Sequence, residues 1–378
     1  MPARRMHSVH VRPQRSASRR AAPMWLLASA VAALTVSAAA APPAGAAGVG
    51  NRFHQTDLVT DNASLVPDAQ LVDPNLKNPW GLALGPATPL WVADNNAAVA
   101  TLYRIGAGGA GVTAVPLQVA IPGGRSSTGD GPSPTGQVFN PGSGFGGAKF
   151  IFASESGQIT AWKPSDGVTA ELEFTSPSAV YKGLTMATGF EGTFLYASNF
   201  HDGTVDVFNS QFQKVSLLGG FRDPTLPAGY APFGIQAING FVYVTYALQN
   251  DERHDDVAGP GHGFIDIYTP DGFRVERLAS RGTLNSPWGM ALAPAGFANF
   301  GGKLLVGNFG DGRISVYHPL APLAFGQLHN EQGRPIVIDG LWGLHFGTAT
   351  TGGAQTLLFS AGINGEQDGL LGSITPAA

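Results

Sequence analysis

A short phrase recurs along the chain: an aromatic residue, a glycine and then alternating apolar residues. The clear copies are Pro79-Trp80-Gly81-Leu82-Ala83-Leu84, Pro232-Phe233-Gly234-Ile235, Pro287-Trp288-Gly289-Met290-Ala291-Leu292 and Leu341-Trp342-Gly343-Leu344-His345-Phe346. Weaker copies are Tyr181-Lys182-Gly183-Leu184-Thr185-Met186 and Gly136-Gln137-Val138-Phe139. The copies return at intervals of about 50 residues, a length typical of one four-stranded propeller blade. Six copies therefore predict six blades.

Each repeat continues with an apolar run and then, after a turn, with an alternating strand. The apolar runs lie at 90–93, 150–153, 194–197, 241–244, 304–307 and 357–360. Such runs are typical of strands buried on both faces, as between stacked blades. Alternation predicts third strands at 204–208, 265–268 and 313–317. Asp202-Gly203 and Asp311-Gly312 predict hairpin turns between the second and third strands, where the backbone needs a positive φ.

The two ends of the repeat region predict how the ring closes. The last repeat reaches Ala378 after three strands, whereas 53–60 precedes the first repeat and has no blade of its own. Placing 53–60 as the outer strand of the last blade removes the exposed edges of an open ring. We therefore predict an all-β, six-bladed β-propeller that is closed by the N-terminal strand and forms a single domain over 47–378. Other outer strands are expected at segments such as 112–119 and 334–338. No helix is predicted anywhere in 47–378.

Residues 1–46 have the order of a signal peptide: basic, then apolar, then small. The basic part contains no acid and holds Arg4, Arg5, Arg12, Arg15, Arg19 and Arg20. An apolar run of about 18 residues follows, and Ala44-Gly45-Ala46 fits a cleavage site. Arg19-Arg20 partly resembles a twin-arginine signal, so the export route stays open. We expect an exported protein, periplasmic or extracellular, without a membrane anchor after cleavage; an uncleaved anchor is the alternative.

Composition narrows the classes of partner. The chain has 378 residues and a formal net charge of −4, and the arginines of 1–46 leave the remainder still more acidic. An acidic body argues against binding of nucleic acid, which needs clustered Lys and Arg.

The residue composition also favours a folded, turn-rich β protein over a disordered chain. Although Gly (52) and Pro (28) are frequent, the 22 Phe, 6 Trp and 8 Tyr indicate a hydrophobic core. The sequence has no cysteine, which excludes disulfides and thiolate zinc sites. We expect a monomer.

Several phrases resemble those of one protein family. They are Asp73-Pro74-Asn75-Leu76 before Asn78-Pro79-Trp80-Gly81, the turns Asn199-Phe200-x-Asp202-Gly203 and Asn308-Phe309-x-Asp311-Gly312, and His254-Asp255-Asp256-Val257-Ala258-Gly259-Pro260-Gly261. Together they resemble a family of uncharacterised, exported bacterial propeller proteins related to NHL-repeat and SMP-30-like propellers, over roughly 51–376. The resemblance implies the six-bladed fold and export, and it implies no assigned activity. Some members of that family carry a C-terminal sorting anchor, and we expect none here.

Polar residues follow the second strands at corresponding positions. They are Asp94 and Asn95, Glu155, Asn199, Asn308 and, less regularly, Asn364 or Glu366. If they converge at one mouth of the channel, they form an oxygen-rich ring suited to Ca²⁺ or another divalent cation. By resemblance, SMP-30-like lactonases use a channel metal to polarise a substrate. The alternative is that these side chains cap hairpin turns through hydrogen bonds to the backbone.

The longest irregular insertion, 249–263, offers a second set of candidates. It contains Asp255 and Asp256 beside His254. Long loops often carry function, and these side chains could bind a cation or supply a general base. A solvated surface loop is the alternative. Gly142-x-Gly144-x-x-Gly147 matches a dinucleotide fingerprint only formally, because no βαβ unit surrounds it.

Two functions remain open from the sequence. The first is a binding or scaffold propeller that uses one mouth of the channel to hold a small molecule, a glycan or a protein. The second is a metal-dependent hydrolase or lyase of the lactonase kind. A meeting of Asp94, Asn199, Asn308 and the Asp255-Asp256 loop at one mouth would favour the second, and ligands that point to different faces would favour the first. The sequence favours the first because no catalytic motif is present, and a fold by itself does not decide.

Overall fold

Six sheets form the blades of a β-propeller in residues 49–123 and 131–377, the part of the chain that the computed structural model describes. Each repeat phrase forms an inner strand. In blades one to six the inner strands are Pro79–Ala83, Pro134–Phe139, Tyr181–Gly189, Tyr230–Ile238, Pro287–Leu292 and Leu341–Phe346. The prediction of an all-β, six-bladed propeller is confirmed. The signal peptide predicted over 1–46 lies outside the described residues.

The second and third strands complete the predicted hairpins. The second strands are Leu90–Asp94, Phe150–Ser154, Gly192–Asn199, Phe241–Leu248, Leu304–Asn308 and Leu357–Gly362. The third strands are Val99–Ile105, Gln158–Trp162, Thr204–Phe208, Phe264–Tyr268, Ile314–Tyr317 and Asp368–Pro376. Gly203 and Gly312 have φ values of 69° and 67°. The backbone at both turns therefore has the positive φ that the sequence predicts.

The outer strands of blades one to five match the sequence less closely. They are Val112–Ala114 with Val119–Ala120, Glu171–Thr175, Lys214–Val215, Arg274–Ser280 and Ala324–Gln327. The expectation of a strand at 334–338 is wrong, because Ala324–Gln327 already pairs with the third strand of blade five. Ile336 and Ile338 are buried between blades five and six instead. Pro335 suits this connecting segment because it has no N–H for a strand ladder.

The strand Arg52–Thr60 closes the ring, as predicted. It pairs antiparallel with Asp368–Pro376, in a register that runs from Phe53 opposite Pro376 to Thr60 opposite Leu370. Leu71–Val72 and His329–Asn330 add short parallel pairs to the same strand. Phe53 is fully buried and stacks on Phe297, with ring centroids 4.9 Å apart. The first and the last described strands therefore share one blade.

Helical segments are short. The 3₁₀ turns are Val49–Asn51, Asn95–Ala97, Ala107–Gly109, Phe145–Gly147, Pro164–Asp166 and Ala298–Phe300, and Ile363–Glu366 is the α-helical segment. The glycines of the formal dinucleotide motif lie in the loop before the second strand of blade two. Among the residues described, no helix has the length and apolar character to cross a membrane.

The hydrophobic core lies between neighbouring blades. Ile151 belongs to a cluster shared with blade three, whereas Phe150 and Phe152 on the same strand belong to a cluster shared with blade one. Successive side chains of a strand point to opposite faces, so a strand between two clusters buries all of them. This packing explains why the second strands are continuous apolar runs.

Each inner strand has a bulge at its repeat phrase. The pairing register shifts between Pro79 and Leu82, and a shift recurs at the corresponding place in the other inner strands. A Cβ added at Gly289 would lie 2.3 Å from the carbonyl oxygen of Trp342 on the next inner strand. Similar contacts with the next inner strand occur at Gly81, Gly136, Gly183, Gly234 and Gly343. Glycine permits this approach because it has no Cβ.

Buried hydroxyl groups join neighbouring blades next to these bulges. The hydroxyl of Ser198 donates to the carbonyl oxygen of Phe233 at 2.6 Å, and that of Thr245 donates to Pro287 at 2.6 Å. Thr135 and Ser360 make corresponding bonds, to the carbonyl oxygens of Tyr181 and Trp80. Since a buried carbonyl needs a donor, these side chains satisfy backbone groups that face the next blade.

We predict that Gly289→Ala lowers the free energy of unfolding by about 1–3 kcal/mol, because the added methyl overpacks the junction between two inner strands. Equilibrium urea unfolding measures the change. Gly131→Ala is the matched control, since a Cβ at Gly131 has no heavy atom within 4 Å. Equal stability of the two variants would contradict the proposed close contact.

Candidate functional site at one mouth of the channel

A pocket of about 470 Å³ opens where the loops before the inner strands meet the loops after the second strands. Its polar lining includes Asn78, Asn95, Asn96, Glu155, Lys182, His254, Asp255, Asp256 and Glu366. Its aromatic lining is Trp80, Phe309 and Trp342. Every blade contributes a residue, because the inner strands begin and the second strands end at this face of the ring.

Aromatic rings form the floor of this pocket. Trp80 and Trp342 stack with their ring centroids 3.5 Å apart. Trp288 packs edge-on against Trp80 at 6.0 Å and against Trp342 at 5.6 Å. All three tryptophans stand immediately before a repeat glycine, where the bulge directs them to the axis. The aromatic residue of the repeat phrase therefore fills the channel.

Lys182 occupies the same position in blade three and brings a charge to the aromatic floor. Its side chain is 2% exposed, and its ammonium pairs with Glu155 and lies 3.2 Å from an oxygen of Asp255. The ammonium also lies 5.2 Å from the centroid of the Trp80 ring. Burial alone would lower the pKa of Lys182, but the two carboxylates outweigh it and raise that pKa. Lys182 is therefore a buried cation with two acidic partners.

His254 and Asp255 extend the cluster into the insertion of blade four. Nδ1 of His254 lies 2.9 Å from an oxygen of Asp255, and this hydrogen bond raises the pKa of His254. Burial opposes ionisation of Asp255, but His254 and Lys182 outweigh it and hold its pKa well below the usual range. Burial raises the pKa of Asp256. The insertion thus supplies an ionised carboxylate to the lysine.

Glu366 approaches the pocket from blade six. The side-chain amide of Asn78 donates to its carboxylate at 3.1 Å, and the amide of Asn96 donates to its backbone carbonyl at 2.6 Å. Burial raises the pKa of Glu366 to about 7, and the negative charge of Glu155 adds to this effect, while the bond from Asn78 opposes it. Glu366 therefore changes its charge near neutral pH.

Three side chains have the spacing of metal ligands. Glu155, His254 and Asp255 each offer one ligand atom, and these atoms all lie within 4.8 Å of one another. Carboxylate oxygens and an imidazole nitrogen can coordinate a divalent cation. Lys182 contacts both carboxylates, so the positive charge of an ammonium already lies beside them.

The structure brings some of the sequence candidates together and separates others. Asn95, Glu155, Asp255 and Asp256 line the pocket, and so does Glu366. The amide of Asn95 donates to Glu155 at 3.0 Å, which connects blades one and two.

Asp94, Asn199 and Asn308 lie outside this lining and bond within their own blades. Asp94 accepts hydrogen bonds from the backbone and hydroxyl of Thr101 at 3.1 and 2.7 Å. The amide of Asn199 donates to Asp202 at 2.8 Å, and that of Asn308 donates to Asp311 at 3.0 Å. Asn364 donates to Asp368 at 2.7 Å. These bonds hold the turns between second and third strands.

Sequence reasoning missed Lys182, Asn78 and the tryptophans as site residues. The signal for Lys182 was its position, because a lysine stands there where most copies of the phrase have an aromatic residue. In the sequence this difference marks a weaker repeat, but a charged residue at an axial position indicates a site more directly than a polar turn residue does.

We predict that Glu366→Gln changes the pH dependence of stability. The folded pKa of about 7 exceeds the ordinary value of 4.5, so the folded wild type binds more protons than the unfolded chain between these values. Wild-type stability should therefore fall, relative to the variant, as the pH rises from about 4.5 to about 7. Thermal melts across this range measure the effect, with exposed Glu252→Gln as control. If the difference in melting temperature between wild type and Glu366→Gln is the same at every pH, the raised pKa of Glu366 is contradicted.

Solved structures with a similar fold include enzymes. The virginiamycin B lyase from Staphylococcus aureus aligns with a TM-score of 0.51 and 14% identity, over 86% of this chain and 99% of the lyase chain. The soluble aldose sugar dehydrogenase from Escherichia coli aligns with a TM-score of 0.51 and 13% identity, over 86% and 100% of the two chains. At these identities the likeness shows the propeller fold and does not extend to activity.

Sequence relatives cover most of the chain. No protein-family model matches the sequence. Uncharacterized protein R648 of Acanthamoeba polyphaga mimivirus is 30% identical over 319 residues, which are 80% of this chain and 76% of that protein. Uncharacterized protein L690 of the same virus is 31% identical over 322 residues, or 80% and 81% of the two chains. The chain therefore belongs to the protein family that includes the mimivirus proteins R648 and L690.

Proposed function

We propose that the protein is a binding propeller that holds a small polar molecule at the mouth lined by Glu155, Lys182 and Glu366. The observation that carries the proposal is the buried ammonium of Lys182 at the floor of an open pocket. Desolvating an ion pair costs free energy, and an apolar side chain at this position would avoid that cost. A buried charge at a position where four of the other five blades have an aromatic ring supports a role in binding.

The charges around the pocket indicate which ligands it favours. Glu155 and Asp255 exceed the charge of Lys182, and Asp256 and Glu366 add further acidic groups. His254, whose pKa is raised by its hydrogen bond to Asp255, is the second group in this lining that can carry a positive charge, so the acids still outnumber the bases. This surplus of acid repels an anion and attracts a neutral or cationic ligand. Within the described lining, Lys182 is the single lysine or arginine, and its ammonium is already shared between two carboxylates.

The remaining lining suits a compound with several hydroxyl groups. Asn95 and Asn96 supply both amide donors and carbonyl acceptors, and carboxylate oxygens accept hydrogen bonds from hydroxyls. Phe309 is half-buried, stacks on Trp342 at 4.0 Å and offers an apolar surface to the C–H face of a ligand. We therefore propose a neutral or amino-substituted polyhydroxyl compound, such as a sugar, as the class of ligand.

Glucose, glucosamine and glucuronate test this proposal because they share a pyranose ring and differ in charge. We expect glucosamine and glucose to change the tryptophan fluorescence in a saturable way, and glucuronate to bind about tenfold more weakly or not at all. Titration at constant ionic strength separates specific binding from screening. Tighter binding of glucuronate would overturn the charge argument, and failure of all three compounds to bind would overturn the ligand class.

A divalent cation is the second candidate, favoured by the spacing of Glu155, His254 and Asp255. A metal there would have to coexist with Lys182 or displace its ammonium from both carboxylates. The alternative of a metal-dependent hydrolase or lyase depends on this second candidate. A bound metal would act as a Lewis acid on a carbonyl, whereas the binding function needs no metal.

We predict that Lys182→Met lowers the free energy of unfolding by about 3–5 kcal/mol at neutral pH, because Glu155 becomes a buried carboxylate without its cation. Millimolar Ca²⁺ should recover part of that loss in the variant and leave the wild type unchanged. The experiment combines metal analysis with thermal melts in EDTA or Ca²⁺. Lys149→Met is the control, because Lys149 lies in blade two at the end away from this pocket. A stoichiometric metal in purified wild type, with a melting temperature lowered by EDTA, would establish the metal site instead.

A further inference from the structure

Three aromatic rings form a stacked column at the mouth lined by Glu155, Lys182 and Glu366, hereafter the acidic mouth. Trp342 stacks on Trp80 and on Phe309, with centroid distances of 3.5 and 4.0 Å and interplanar angles of 18° and 21°. Two rings stacked this closely do not fit on one face of an indole, so Trp342 lies between them, and it is 1% exposed. Phe309 is half-buried and lines the pocket. Its exposed part is therefore its other face and its edge.

The backbone holds Phe309 in this position. Its N–H donates to the carbonyl oxygen of Ser286 at 2.9 Å, and the next N–H, of Gly310, donates to that of Asn285 at 3.1 Å. The side-chain amide of Asn308 donates to the carbonyl oxygen of Thr283 at 2.8 Å. These bonds join the turn after the second strand of blade five to the segment before its inner strand. The ring face is thus in place before a ligand binds, which lowers the cost of binding.

The electrostatics of the pocket favour a cation on this face. The π face of an aromatic ring attracts positive charge, and the ammonium of Lys182 already lies 5.2 Å from the centroid of Trp80. Acidic groups outnumber basic ones in the described lining. The side chain of Asp255 is 61% exposed, so its negative charge acts on the open part of the pocket. A cation on Phe309 would therefore be attracted by the ring and by the surplus of acid.

The existing ion pairs favour an alkylated ammonium over a metal ion as this cation. A metal ion needs oxygen ligands in direct contact and would compete with Lys182 for Glu155 and Asp255. An alkylated ammonium instead presents apolar methyl groups that carry part of its positive charge, and aromatic faces bind such groups. Contact with Phe309 satisfies it and leaves both ion pairs of Lys182 intact.

We propose that the acidic mouth binds its ligand through an alkylated ammonium group, which lies on the open face of Phe309 while Asp255 and Glu366 balance its charge. The observations that carry the proposal are the stacked column with one open end and the acidic lining around it. The inference rests on the binding function proposed above and narrows its ligand to an amino alcohol or amino sugar with an alkylated nitrogen. The hydroxyl groups of such a ligand would bond to Asn95 and Asn96.

Choline and 3,3-dimethylbutan-1-ol test the inference, because they have the same shape and differ in a quaternary nitrogen that replaces a carbon. Proton NMR follows the methyl signal of each compound with the full chain at pH 8, above the pKa of about 7 of Glu366, and at constant ionic strength. We expect the choline signal to move upfield saturably, since an aromatic face shields protons above it, and the alcohol to bind about tenfold more weakly. Equal affinities, or no binding of choline, would overturn the inference.

Phe309→Leu tests the ring directly, because it removes the π face and keeps an apolar side chain. It should weaken choline about fivefold and the alcohol less than twofold. Phe325→Leu is the matched control, since Phe325 is exposed on the outer strand of the same blade and lies outside the pocket lining. Unchanged choline affinity in Phe309→Leu would indicate adsorption to the acidic surface and would overturn the inference. If this variant does not fold, the two compounds on the wild type still decide.

Glucose titrated in parallel separates this inference from the proposed function. Binding of glucose without binding of choline would overturn the ammonium inference and leave the polyhydroxyl ligand class in place. Binding of choline without binding of glucose would support the ammonium group and contradict the hydroxyl contacts. Failure of both compounds to bind would overturn both proposals.

Discussion

The close approach of the six inner strands is the constraint on which the rest of the structure depends. Each strand bulges at a glycine that lies against the backbone of the next strand, so the ring closes with almost no space at its axis. The residue before each glycine is then directed inward. Trp80, Trp288 and Trp342 fill this space and separate the two mouths. A propeller with wider spacing would have a continuous channel and no floor on which to build a pocket.

Lys182 at this crowded position determines the electrostatics of one mouth. An ammonium that is 2% exposed needs acidic partners, and it obtains them from two blades, in Glu155 and Asp255. The hydrogen bond from His254 and the ammonium of Lys182 together hold the pKa of Asp255 well below its usual range. It also places a positive charge where a metal would compete for these carboxylates. A cation at this place would therefore have to displace the ammonium from both carboxylates or share them with it.

The two mouths differ in chemistry because different parts of the blades form them. The acidic mouth is built from loops after the second strands, including the long insertion that carries His254 and Asp255. The opposite mouth is built from the ends of the inner strands, where apolar side chains such as Leu84 and Met186 alternate with polar ones such as Gln236 and His345.

The sequence by itself determined the six blades, the closing strand at 53–60 and the hairpins, because glycines, turn residues and apolar periodicity are local signals. It also singled out Glu155 and Asp255. Only the tertiary structure decided that these two meet at Lys182, while Asn199 and Asn308 bond within their own turns. The physical reason is that side-chain direction and charge depend on neighbours from distant blades. The burial of Lys182 and its ion pairs form only when the ring closes, and the spacing of residues along the chain does not encode them.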